Sequence, residues 1–270
     1  MSEAKFINKE ARQALKKTSR TFYIPITHLS KGLQEAVASA YLCMRAIDEI
    51  EDHPQLPAKD KIDLLLSVHK ILQKPTHEDL AKLFEPYESI LPAVTLKLSD
   101  WIEVCPSGIV NKMLEATATM AKGMAKWVEK DWVIESENDL DDYTYYVAGL
   151  VGLMLNDIWK WYDNTETDEH LAIAFGRGLQ AVNILRNYKE DETRGVSFFP
   201  KGWGLEEMFA YAQKNLEMAD LYIKDLQTDS IIKFCEIPLA LAHGTLKALM
   251  EGKEKMSRIE VLKVVGRVVN

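Results

Sequence analysis

The chain has 270 residues, 47% of them hydrophobic and 27% charged, with a formal net charge of -8. That content suits a globular protein with a sizeable core, and the acidic balance argues against a general nucleic-acid binder. The three cysteines, Cys43, Cys105 and Cys235, are isolated with no CxxC pair, so no disulfide framework is expected and a reducing, cytoplasmic compartment is.

The N-terminal stretch MSEAKFINKEARQALKKTSRTF contains acids and lacks an apolar signal core, which reads as no signal or transit peptide. Helical periodicity begins at 31–51, in SKGLQEAVASAYLCMRAIDEIED. There Tyr41, Arg45, Asp48 and Asp52 fall within a roughly 60° arc of the helix, and apolar Val37, Ala40, Leu42, Met44 and Ile47 occupy much of the rest. Further helices are predicted at 59–73, 109–129 and 141–162 from apolar residues three and four apart. A helix over 171–189 carries a second polar stripe, Gln180, Asn183, Asn187 and Asp191, among Leu179, Val182, Ile184 and Leu185. Helices at 205–226 and 230–249 follow, and HPQLP, EPYESILP, CPSG, DNTETDE and TRGVSFFPKGWG supply the breaks. The longest apolar runs are too short to cross a bilayer. No linker divides the chain, so one all-α domain over 1–270 is expected.

Gly176-Arg177-Gly178-Leu179-Gln180-Ala181 matches a dinucleotide fingerprint, but the preceding EHLAIAF reads as helix entry rather than the strand that the fingerprint needs. The six histidines show no HExxH spacing, and no Glu-x-x-His motif supports a di-iron bundle.

A single polar stripe is compatible with an ordinary solvent face. These two are built from Tyr, Gln, Asn and Arg rather than Lys and Glu, and such groups are costly to bury without partners. Two such stripes suit a cavity inside a helical bundle. Carboxylates at i and i+4 offer two oxygens to a hard cation, and Mg²⁺ is commonly shared with substrate phosphates. The pattern points to a diphosphate held by Mg²⁺, with Arg45 and Arg186 neutralising remaining charge.

The blocks SRTF, YLCMRAIDEIED, YTYYVAGLVG and GLQAVNILRNYKEDETRGVSFFP, extended by FCEIPLALAHGTL, resemble in order and spacing the signatures of the squalene/phytoene synthases. YVAGLVG and the last block look more like squalene synthases. The resemblance implies an all-α isoprenoid-synthase fold with a central cavity. It also implies head-to-head condensation of two prenyl diphosphates, typically farnesyl diphosphate, through a cyclopropylcarbinyl diphosphate. Squalene synthases then reduce the rearranged cation with NADPH, whereas dehydrosqualene and phytoene synthases lose a proton.

Carried over by motif, Asp48 and Asp52 ligate Mg²⁺ with Glu51 in support, and Asn187 and Asp191 hold the second metal positions beside Glu190. Tyr41, Arg45 and Arg186 contact diphosphate oxygens. Ser19 and Thr21 match hydroxyl positions of the first block, Phe22 faces cationic carbons, and Tyr143 matches a tyrosine of proton handling. Gln180 and Asn183 match the polar residues beneath the second motif. Gly149 and Gly152 fit either close approach of a prenyl chain or close helix packing. The family's second motif normally begins with Asp, so Asn187 removes one negative charge and implies weaker Mg²⁺ binding there. This departure leaves a prenyl diphosphate phosphohydrolase releasing farnesol as an alternative. A non-catalytic assembly factor is a further one, against which the retained Asp48, Asp52, Glu190, Asp191, Arg45, Arg186 and Tyr143 count. The tail GKEKMSRIEV resembles the reductant-site segment of squalene synthases and points to NADPH, or it is a basic helix terminus. Peripheral membrane contact and the oligomeric state stay open.

Overall fold

The computed structural model describes residues 7–19, 21–193 and 195–269. Residues 1–6 of the N-terminal reading, Arg20 of the SRTF block and Arg194 lie outside them. The described residues contain α-helices, one 3₁₀ turn and one π-helical turn, with no strand. The all-α expectation holds. The chain forms two compact units, Met1–Asp131 and Trp132–Asn270.

In the first unit the helices are α1 (Lys9–Thr18), α2 (Tyr23–His28), α3 (Leu33–Glu51), α4 (Ala58–Ile71), α5 (His77–Phe84), α6 (Ala93–Leu96), α7 (Leu98–Val104) and α8 (Val110–Glu129). Helix α1 starts where Asn8 Oδ1 accepts from Ala11 N at 2.7 Å, a side-chain cap of an otherwise unpaired helical N–H. Gly32 precedes α3 at φ 88°, a left-handed conformation that glycine adopts without a Cβ penalty, and its N–H donates to Glu35 Oε2 at 3.1 Å. The Ala-rich run of α3 favours helix, and its apolar face is buried from Leu33 to Ile50. Helix α3 packs on α6, α7 and α8, while α4 lies along α8. Buried polar groups are paired: Ser39 Oγ donates to Trp101 O at 2.7 Å, and Thr95 Oγ1 donates to Ala46 O at 3.0 Å. These bonds fix the rotation of α3, and with it the position of the acids at its C-terminal end.

The second unit contains α9 (Glu137–Thr144), a π-helical turn (Tyr145–Gly149), α10 (Leu150–Asp163), α11 (Glu169–Thr193), α12 (Leu205–Lys224), α13 (Asp229–Met250) and α14 (Arg258–Val269). Ser136 and Asp139 form a reciprocal capping box at the start of α9. Helix α11 is the hub, packed on α10, α12, α13 and the π turn. A Cβ on Gly152 would stand 2.0 Å from Ala172 O, and one on Gly176 would stand 2.1 Å from Ala148 O. Gly152 is therefore a helix-packing glycine, the second of its two readings. Gly176 and Gly178 lie inside α11, which removes the strand context of a dinucleotide fingerprint.

The seven long helices fall within two residues of their expected positions at most ends, with two departures. The expected helix 141–162 is divided into α9, the π turn and α10, and α11 runs on to Thr193, through the whole second motif. Among the described residues no helix is long and apolar enough to cross a membrane. The three cysteines are buried and unbridged.

Candidate active site

The first motif occupies the last turn of α3 and its C-cap residue, Asp52. Asp48, Glu51 and Asp52 can each place a carboxylate oxygen within 4.8 Å of the other two. Glu51 is only 3% exposed, Asp48 is half-buried and Asp52 is open to solvent. The cluster thus has a fixed inner wall and an outer edge that a ligand can reach. Burial, and then the neighbouring Asp52 carboxylate, raise the pKa of Asp48 to about 7, against the opposing pull of Arg45. Three such oxygens make a hard donor set of the kind Mg²⁺ takes, so the residues present fit the cation that the sequence implies.

Arg45 lies one turn before the acids. Its Nη1 donates to Asp48 Oδ2 at 2.6 Å, while Nε and Nη2 donate to Glu49 Oε1 at 2.9 and 2.5 Å. Partial burial opposes the guanidinium charge, but Asp48 and Glu49 more than offset it, and its pKa stands above the usual value. Tyr41 completes the stripe: its hydroxyl donates to Thr18 O at 3.0 Å, and its ring lies 6.1 Å from that of Phe22. Burial raises the Tyr41 pKa, so it remains a neutral phenol. Ser19 is buried and its Oγ accepts from Phe22 N at 2.9 Å, whereas Thr21 is exposed. The SRTF block is thus tied to α3 through the Tyr41–Thr18 bond, and Phe22 is held beside Tyr41.

The second motif lies on the last turns of α11. Asp191 is buried, Asn187 is half-buried and Glu190 is exposed. The side-chain oxygen of Asn187 accepts from Arg186 Nε at 3.3 Å, and Asn183 Nδ2 lies 3.5 Å from Gln180 Oε1. Asp191 lines a small pocket with Ile184, Tyr188, Val196 and Phe198. The loop after α11 folds back so that Phe198 stacks on Tyr143, with ring centroids 4.9 Å apart. Tyr143 is buried. Tyr143 and the second motif thus share one neighbourhood through Phe198.

Three features were not read from the sequence. Glu49 is one residue off the Tyr41–Asp52 arc, so periodicity assigns it to no stripe. Lys61 of α4 is buried, and its Nζ donates to Glu51 O at 2.5 Å, placing a cation against the C-terminal end of α3. Its only sequence signal is a Lys in an otherwise amphipathic helix. Arg177 donates through Nη2 to Asp141 O at 2.8 Å, and Asp141 Oδ1 accepts from Tyr211 OH at 2.7 Å. That network joins α9, α11 and α12, and a tertiary meeting of this kind leaves no local pattern.

A family model described as squalene/phytoene synthase matches residues 15–204. Squalene synthase 1 of Panax ginseng is 30% identical over 94% of this chain and 68% of its own length. The chain spans about two thirds of the length of such curated relatives. Among solved structures, the complex of TcSQS with the ligand E5700 has a TM-score of 0.78 at 23% identity, covering 96% of this chain and 84% of that one. A dehydrosqualene synthase in complex with ligand has a TM-score of 0.64 at 20% identity, covering 96% and 94%. At those identities the structures establish a shared fold.

Proposed function

Because the chain belongs to the squalene/phytoene synthase family, we propose that it is a transferase of the farnesyl-diphosphate farnesyltransferase type. It joins two farnesyl diphosphates head to head, through presqualene diphosphate, to squalene or dehydrosqualene. The observation that carries this reading is the acid cluster Asp48, Glu51 and Asp52 with Arg45 one turn away. The same reading takes residues 1–270 as a single squalene/phytoene synthase-like domain.

Bound Mg²⁺ supplies positive charge that stabilises a departing diphosphate without moving a proton. Asp48 and Asp52, backed by Glu51, would hold the cation at the first motif, and Asn187, Asp191 and Glu190 would do so at the second. Arg45 and Arg186 would neutralise the remaining diphosphate charge. Ser19 and Thr21 contribute hydroxyls to the same group, and Gln180 and Asn183 do so beneath the second motif. Phe22 and Tyr41 present ring faces that tolerate a developing carbocation. Tyr143, buried and stacked on Phe198, is the residue for proton handling at the ionisation step.

The test is incubation of the full chain with farnesyl diphosphate and Mg²⁺, with and without NADPH, followed by product analysis. Squalene formed only with NADPH supports a reducing synthase, and dehydrosqualene without it supports the proton-losing type. A second reading, a farnesyl diphosphate phosphohydrolase, is favoured by Asn187 alone, and farnesol as the sole product establishes it. No turnover at all overturns both in favour of an assembly factor.

A further inference from the structure

We propose that Glu49 is a positioning residue that keeps Arg45 from closing on Asp48, so that the Asp48 carboxylate stays available to Mg²⁺. The inference rests on the reading of Asp48 as a metal ligand. A guanidinium has a rigid fork, and its preferred partner geometry is two parallel bonds to one carboxylate. On α3 that preference is divided. The Nε–Nη2 edge of Arg45 is held by Glu49 Oε1 at 2.9 and 2.5 Å, and only Nη1 reaches Asp48, at 2.6 Å.

Glu49 lies outside the trio of carboxylates that can meet at one cation. Its position one residue after Asp48 turns it about 100° around the helix, on the far side of Arg45 from that trio. Arg45 is 32% exposed and Glu49 26%, so a ligand can reach the pair. Without the Glu49 carboxylate, the free Nε–Nη2 edge has Asp48 as its nearest acid. A two-bond Arg45–Asp48 pair would then compete with the cation for the same oxygens. Glu49 thus acts through Arg45 and touches neither cation nor substrate.

The experiment is calorimetric titration of Mg²⁺ into the full chain at fixed inorganic pyrophosphate, using wild type, Glu49→Gln, Arg45→Ala and the double variant. Expected is about fivefold weaker Mg²⁺ binding for Glu49→Gln in the wild-type background, and less than about a twofold change in the Arg45→Ala background. Glu49→Asp, which keeps the charge but shortens the reach, should show the same dependence on Arg45 and serves if Glu49→Gln fails to fold. Equal affinities for wild type and Glu49→Gln overturn the proposal. The same loss in both backgrounds also overturns it, because the carboxylate would then act by its own field. If wild type binds no Mg²⁺, the metal reading of the motif falls first and takes this inference with it.

Discussion

If Asp48 ligates Mg²⁺ as proposed, the cation competes there with a proton, because burial and Asp52 raise the Asp48 pKa to about 7. Ligation needs the carboxylate, so Mg²⁺ affinity rises with pH between about 6 and 8 and levels off above the raised value. Titrations at the two pH values check this, and a flat profile contradicts it. The sign for the metal-free fold is opposite. A carboxyl that is more basic folded than unfolded favours folding below the ordinary carboxylate range, and loses that contribution as pH rises through about 7. At the second motif Asn187 offers one neutral oxygen, already accepting from Arg186 Nε. Asn187→Asp is expected to lower the Mg²⁺ concentration for half-maximal turnover about tenfold, equivalent to about 1.4 kcal/mol. If neither Mg²⁺ dependence nor turnover improves, the weakened-site account fails. The i, i+4 pairs Asp48–Asp52 and Asn187–Asp191 were legible because helical geometry alone places each on one face. Glu49 and Lys61 were not, since their roles depend on a rotamer choice and on the approach of α4.

Helix crossing, rather than substrate contact, sets the requirement for Gly152. With Ala172 O only 2.0 Å from a Cβ, Gly152→Ala must push α10 and α11 apart, at a cost of about 3 kcal/mol in urea unfolding. Gly149→Ala meets the Ile173 methyl at 3.0 Å, a side chain that can yield, and should cost less than about 1 kcal/mol. Equal costs at the two positions would remove the packing argument. The long helices were legible because each buries a stripe of period 3.6. The π turn at Tyr145–Gly149 was not, because it adds a residue to a turn within an apolar run where the period carries little contrast. Helices α2 and α6, six and four residues long, are too short to show a period. Helix α1 buries only Ala11 and Leu15 on an otherwise charged sequence, so its cap at Asn8 was the available signal.

In the proposed function the chain holds Mg²⁺ at two motifs of unequal composition, and that inequality has a measurable consequence. Asp48, Glu51 and Asp52 form a compact trio beside Arg45, whereas the second motif combines a neutral Asn187, an exposed Glu190 and a buried Asp191. A hard dication gains more from three anionic oxygens than from two and an amide. Titration with Mg²⁺ and inorganic pyrophosphate should therefore resolve a tighter and a weaker class of site. Asp52→Asn should abolish the tighter class and leave the weaker, whereas Asp191→Asn should do the reverse. Binding to the folded chain also stabilises it by linkage, by about 2.7 kcal/mol at a hundredfold excess over the dissociation constant. Thermal melting should accordingly shift upward with Mg²⁺ and pyrophosphate and return with a chelator. In Asp52→Asn the upward shift should shrink more than in Asp191→Asn. A single class of site, or equal losses in the two variants, would mean that the charge difference between the motifs does not govern binding.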